Sequence, residues 1–267
     1  MNVRQLSKKP SLKWSPMYRV WRSEVRKLSR PRFLLSNFLV AIALQTIFTV
    51  TLFLKAEGSI VKDLNKSSGL FFSTKSISAF LGIISFCIFA ASFAQEYGFG
   101  TLKNLLVREP RRSKLIMGKL LGVSTFIAVL IILVSLVGGS LSYLLSSRAE
   151  VSVANWSFLD SEFLAPLVNV ELAAIAYGVL GACLAVILRS SITAISAGLI
   201  WLLVIETLFG FFGKTLAKWL PGGNLANFAD GGSQELSYLH SVGVVSIYWL
   251  VALAALLIIF NFRDVAN

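Results

Sequence analysis

Long apolar blocks alternate along the chain with short polar stretches that hold most of its charge. A helix needs about 20 mainly apolar residues to cross the hydrocarbon core of a bilayer. Six segments come close to or exceed that length: 33–54, 77–94, 120–145, 164–188, 192–212 and 242–262. The fold predicted is an all-α membrane protein, with a six-span transmembrane domain at 33–267 after a basic arm at 1–32. Six spans put both termini on one side. Lys and Arg choose that side. The arm carries ten, the 95–119 stretch six, and positions 189 and 263 one each, against seven on the opposite side. Both termini and the 95–119 loop are therefore expected to be cytoplasmic, and the 213–241 loop external.

Within the arm, Tyr18, Trp21, Val25 and Leu28 recur at helical spacing and form one apolar stripe. Arg19, Arg22, Arg26, Lys27 and Arg30 cover the remaining surface, and Pro31 closes the segment. The expectation is an amphipathic helix lying in the membrane interface, aromatics at headgroup depth and cations on anionic lipid, rather than a disordered basic tail. In the external loop, Leu216, Trp219 and Leu220 ahead of Pro221 are expected to dip back as a short re-entrant helix.

Composition narrows the class. The chain is 56% hydrophobic and 14% charged, where soluble domains carry roughly 25% charged residues. The net charge of +12 is concentrated at the ends of apolar blocks, which fits topology and a lipid surface better than nucleic acid. Both cysteines, Cys87 and Cys183, lie within apolar blocks, and His240 is the single histidine. No metal site is expected. The first apolar block begins at Phe33 behind a long basic arm containing Pro31, so a cleaved signal peptide is not expected.

The stretch 95–119, QEYGFGTLKNLLVREPRRSKLIMGK, combines features that an ordinary basic loop does not need. Glu96 sits at the end of the second span. Gly98 and Gly100 permit a reversal. Thr101 can cap a short helix, on which Leu102, Leu105 and Leu106 form an apolar ridge, and Pro110 ends it. Arg111, Arg112 and Lys114 lead back to the membrane, where Lys119 can snorkel. A short amphipathic helix lying parallel to the membrane suits the groove of another protein.

This pattern resembles the loop between the second and third spans of ABC-2-type transporter permeases. The match runs through Glu96, Gly100-Thr101, Leu105-Leu106, Pro110, Arg111-Arg112 and Gly118-Lys119. The basic interfacial helix, the six spans, the proline in the last external loop and the short Arg263-Asp264 tail are similar too. The resemblance implies the transmembrane subunit of an ATP-binding-cassette exporter in a plasma or inner membrane; it does not choose the cargo, but aromatics such as Phe48, Phe86, Trp201 and Phe209 in the spans suit a hydrophobic or amphipathic solute. Its partners would be a cytoplasmic ABC ATPase carrying ATP and Mg, and a second permease copy or a related permease. The 102–108 helix would be the coupling helix, with Glu96 and Arg111-Arg112 making charge contacts around it. The chain lacks a GxxxxGK[ST] phosphate loop of its own, so no cofactor and no enzymatic activity are expected in it.

Two carboxylates fall inside spans. Glu171 is seven residues from the outer end of the fourth predicted span, about 10 Å, and Glu206 six from that of the fifth, about 9 Å. Intramembrane carboxylates mark functional sites by default. Glu171 and Glu206, with Asn169 near their level, are candidates for a translocation path that binds a cationic group or relays protons; the competing reading is packing. Asn37 and Gln45 in the first span read as interhelical hydrogen bonders, and Ala174, Gly178 and Ala182 as a close-packing stripe. Two other function classes remain: a non-transporting membrane anchor or sensor for an ATPase, and an intramembrane enzyme using Glu171 and Glu206 as acid and base.

Overall fold

A computed structural model describes residues 15–98, 111–154 and 156–262. The protein is all-helical, with no strand among the described residues. Helix α1 spans Pro16–Leu28, α2 Pro31–Leu54, α3 Ser59–Leu64, α4 Gly69–Ser76 and α5 Ser78–Gly98. After the 99–110 segment come α6 (Arg112–Leu145), α7 (Ser161–Leu188) and α8 (Ser191–Leu199). A π-helical turn (Ile200–Ile205) joins α8 to α9 (Glu206–Phe212). The chain ends with α10 (Lys214–Ala217), α11 (Pro221–Ala229) and α12 (Tyr238–Phe262). Six helices are long and apolar enough to cross a membrane: α2, α5, α6, α7, the run Ser191–Phe212, and α12. The protein is a multi-pass membrane protein.

The predicted spans shift at their ends. The third is the largest change, because α6 begins at Arg112 and runs 34 residues, about 51 Å. That exceeds a hydrocarbon core of about 30 Å, so its first turns, with Lys114 and Lys119, project beyond the apolar zone. The polar 55–75 stretch is not an open loop. Leu70, Phe71, Ser73 and Thr74 of α4 are buried against α6 and α2.

The core lies between α5 and α7, the most closely packed pair. Small residues on α7 allow the approach: Ala174 and Ala182 are buried, and a side chain at Gly178 would overlap the Phe89 ring. The expected small-residue stripe is therefore the seam of the bundle. Gln45 is fully buried and its Nε2 donates to Thr49 Oγ1 (3.0 Å) and across to Ser73 Oγ on α4 (3.1 Å). Gly138 on α6 leaves the space Gln45 occupies. Asn37 instead donates to Phe33 O of its own helix. Leu39, Ile47, Leu203, Phe211, Ile247 and Val251 face outward, a surface suited to acyl chains and unsuited to water.

Gly178→Leu should lower the thermal midpoint in detergent micelles, by an overpacking cost of about 1–3 kcal/mol. Gly210 has open space around its Cβ position, so Gly210→Leu should leave the midpoint nearly unchanged.

Candidate functional site

Two charged arrangements are built into the bundle. The first ties both ends of the 99–110 segment to the body. Helix α1 starts with Ser15 accepting from Tyr18 N–H and with Pro16 in its first turn, both good helix starters. It packs along α6, where a side chain at Gly118 would press on the Met17 carbonyl and Val20, and one at Gly122 on Glu24. This close approach brings Glu24 to Lys119. Lys119 Nζ donates to Glu24 Oε1 at 3.1 Å and to Glu96 Oε1 at 2.7 Å, and lies 5.3 Å from the Phe93 ring centre. Lys27 Nζ donates to the same Glu96 oxygen at 3.1 Å. The Lys119 side chain is 5% exposed, so these pairs are shielded from water. At the other end of the segment, Arg112 Nη1 donates to Phe260 O and Asn261 O at 3.1 Å. These are among the last carbonyls of α12, where a cation is favoured.

The face that α1 turns to the protein differs from the predicted stripe. Leu28 and Glu24 are buried, and Trp21 Nε1 donates to Thr125 Oγ1 at 3.0 Å, while Tyr18 and Val25 are half-buried. Lys27, read as an outward cation, turns toward Glu96 because two carboxylates converge there. Arg22 and Arg26 remain exposed. Glu96 and Arg112, expected as charge contacts to a partner, are engaged within the chain, and Arg111 stays exposed. Gly100, Thr101, Leu102, Leu105, Leu106 and Pro110 lie outside the described residues.

The second arrangement centres on Glu206. The nine-residue helix α11 begins at Pro221, with no side-chain cap from Leu220. Its first N–H groups still need partners. Pro221 has none to satisfy, Gly222 N–H donates to Glu206 Oε1 (3.0 Å) and Gly223 N–H to Oε2 (3.0 Å). Asn224 N–H returns to Leu220 O. Glu206 thus caps a helix from another element, and a carboxylate at a helix N-terminus is the favourable polarity. The π turn presents Trp201 to the same carboxylate five residues on, with Nε1 donating to Oε1 at 2.9 Å. Tyr177 OH donates to Gly222 O at 3.0 Å. Farther along, Asn227 Nδ2 donates to Ser241 Oγ at 2.8 Å, and that hydroxyl donates to Asn224 Oδ1 at 3.1 Å, fastening α11 to α12. Of the segment expected to dip ahead of Pro221, Leu216 and Trp219 are exposed and Leu220 is buried, and a further buried helix follows the proline. An aromatic residue ahead of Pro221 looks membrane-seeking, but the tight Pro-Gly-Gly-Asn start is what accepts a cap.

The three path candidates have three different surroundings. Glu206 lines a cavity of 840 Å³ with Tyr177, Thr207, Lys218 and Glu235, and Glu171 is not among its lining residues. Both Glu171 oxygens are buried without a hydrogen-bond partner. Because α7 starts at Ser161, Glu171 lies about 15 Å from its beginning, deeper than expected. Asn169 accepts from Tyr238 OH at 2.9 Å and lines a smaller cavity of 200 Å³ with Lys75 and Asp230. Burial pushes the Asp230 carboxyl above the usual carboxylate range, opposed by the Lys75 ammonium and the Ser78 hydroxyl. The ion cluster and the helix cap were missed as units. Their signals were Glu24 four residues before Leu28 on the inner face of α1, and the unpaired Gly222-Gly223 donors behind Pro221.

A family model described as "Protein of unknown function (DUF2705)" matches residues 38–266. The chain belongs to this family. No curated protein matches it. The match covers the first span from residue 38, the other five spans in full, and both arrangements apart from α1.

Lys119→Met should cost about 3–5 kcal/mol, because it removes the buried cation between two carboxylates and leaves them to the part-exposed Lys27. Adding Glu24→Gln and Glu96→Gln should recover most of that loss. Lys27, with a side chain 30% exposed, should cost about 1 kcal/mol when replaced by Met. Thermal unfolding in one detergent orders the four proteins.

Proposed function

We propose that the chain is the membrane subunit of an ABC-2-type transporter, coupling a separate cytoplasmic ATPase to export of a hydrophobic or amphipathic solute. The observation that carries this reading is the ion cluster at the root of the 99–110 segment. The residues that open and close the permease-like pattern, Glu96 and Gly118-Lys119, meet there. A docking helix transmits force only if its ends are fixed to what must move. One end of this segment is fixed by Glu96 and Lys119 to α1 and α6, the other by Arg112 to α12. An ATPase that shifts the segment would move these helices together.

In this account the basic side is cytoplasmic, α1 lies in the interface with Arg22 and Arg26 toward anionic headgroups, and the complex holds two permeases, identical or related, and two ATPases that supply the ATP and Mg. The plasma or inner membrane is its place. The 840 Å³ cavity is of small-molecule size, which favours transport over a bare anchor. The acid–base reading loses support, because three N–H donors occupy Glu206 and Glu171 shares no hydrogen bond with it among the described residues.

Mild-detergent capture of the tagged protein from native membranes should bring down an ATPase with a phosphate-loop motif, in equal numbers. Leu105→Asp with Leu106→Asp should leave membrane insertion intact and remove the ATPase. Full ATPase recovery with the double variant, or none with the native protein, would overturn the proposal.

A further inference from the structure

The carboxylate of Glu206 accepts from three neutral N–H donors and from no cation within 4 Å among the described residues. A carboxylate offers about four acceptor positions. Oε1 takes two donors and Oε2 takes one, so Oε2 keeps a free position on a group that lines the cavity. All three bonds match the acceptor-only, ionised form. When ionised, this carboxylate is stabilised by dipoles alone, with no counter-ion within 4 Å among the described residues. The cavity wall beside it is apolar, built by Ala79, Ile83, Leu202 and Leu203. At the solvent edge the exposed Glu235 and Lys218 offset each other, leaving Glu206 as the net charge of the lining.

We infer that this cavity binds a monocationic amphiphile, its primary ammonium on Glu206 Oε2 and its tail against Ala79, Ile83, Leu202 and Leu203. The site takes an N–H-bearing cation rather than a lipid tail alone, because only a cation complements the unbalanced charge and only a donor fills the open position. Glu206 then has two duties: it holds α11 in place and reads the head group. Tyr177, held to Gly222 O, keeps the α11 side of the cavity fixed. The inference rests on the transport reading only in making this ligand the cargo.

The test uses the full chain in nanodiscs of neutral phosphatidylcholine, with empty nanodiscs subtracted, and titrates decylammonium, decanol and decanoate by calorimetry. Decylammonium should bind saturably, roughly tenfold or more tighter than decanol, as expected for one charge-assisted hydrogen bond, and decanoate should bind least. Glu206→Gln should abolish the preference for the ammonium. Ala79→Trp, which fills the cavity and leaves Glu206 in place, should weaken decylammonium and decanol alike; it serves if Glu206→Gln fails to fold. Equal affinities for decylammonium and decanol, an ammonium preference that survives Glu206→Gln, or unchanged binding of both in Ala79→Trp, would overturn the inference. ATPase capture without ammonium preference removes this inference alone, whereas ammonium binding without ATPase capture removes the transport proposal alone.

Discussion

Lys119, enclosed between Glu24 and Glu96, is the contact on which the basic end of the molecule depends. Three elements meet at one ammonium: α1 through Glu24, α5 through Glu96 and α6 through Lys119 itself. Desolvating a charge is costly unless opposite charges and hydrogen bonds compensate it, and here they do so only when α1 lies on α6. Gly118 and Gly122 make that approach possible. A helix that composition assigns to a lipid surface thereby becomes part of the folded body, and the segment between Glu96 and Arg112 leaves and rejoins it at two anchored points.

The opposite arrangement follows the same rule with a different solution. Helix α11 starts without a cap of its own, and Glu206 supplies one from the neighbouring span. The π turn ahead of Glu206 costs regular hydrogen bonding and gives Trp201 the same carboxylate to hold, a local irregularity of the kind often found at functional sites. The carboxylate of Glu206, which hydropathy alone would count against a span, is thus matched by polar groups brought from elsewhere in the chain, whereas Glu171 has no hydrogen-bond partner among the described residues. The two arrangements divide the labour proposed for the molecule, transmission of force at one and recognition at the other.

The spans, the α7 small-residue seam and the inward Gln45 were legible because apolar length and helical spacing are local properties of the sequence. The inner face of α1 was not, because Glu24 and Lys27 look solvent-bound until Lys119 and Glu96, far away in the chain, come beside them. Glu206 stood out as an intramembrane carboxylate, but its engagement with Gly222 and Gly223 depends on a tertiary fold-back of α11 that no periodicity reports. Asn169 and Glu171 matched Glu206 in estimated depth and diverged in surroundings, since helix rise gives depth and not the direction of a side chain. The start of α6 at Arg112 was hidden because its cations end an apolar window before they end a helix.

The central claim is that the Glu96–Lys119 pair sets the 99–110 segment for an ATPase. The most direct measurement is the yield of co-captured ATPase for Glu96→Gln, Lys119→Met and the two together, normalised to folded membrane protein. If the pair positions the segment, each single change lowers the yield severalfold, and the double change lowers it by less than the product of the two. Full yields in both single variants, despite their loss of stability, would contradict it.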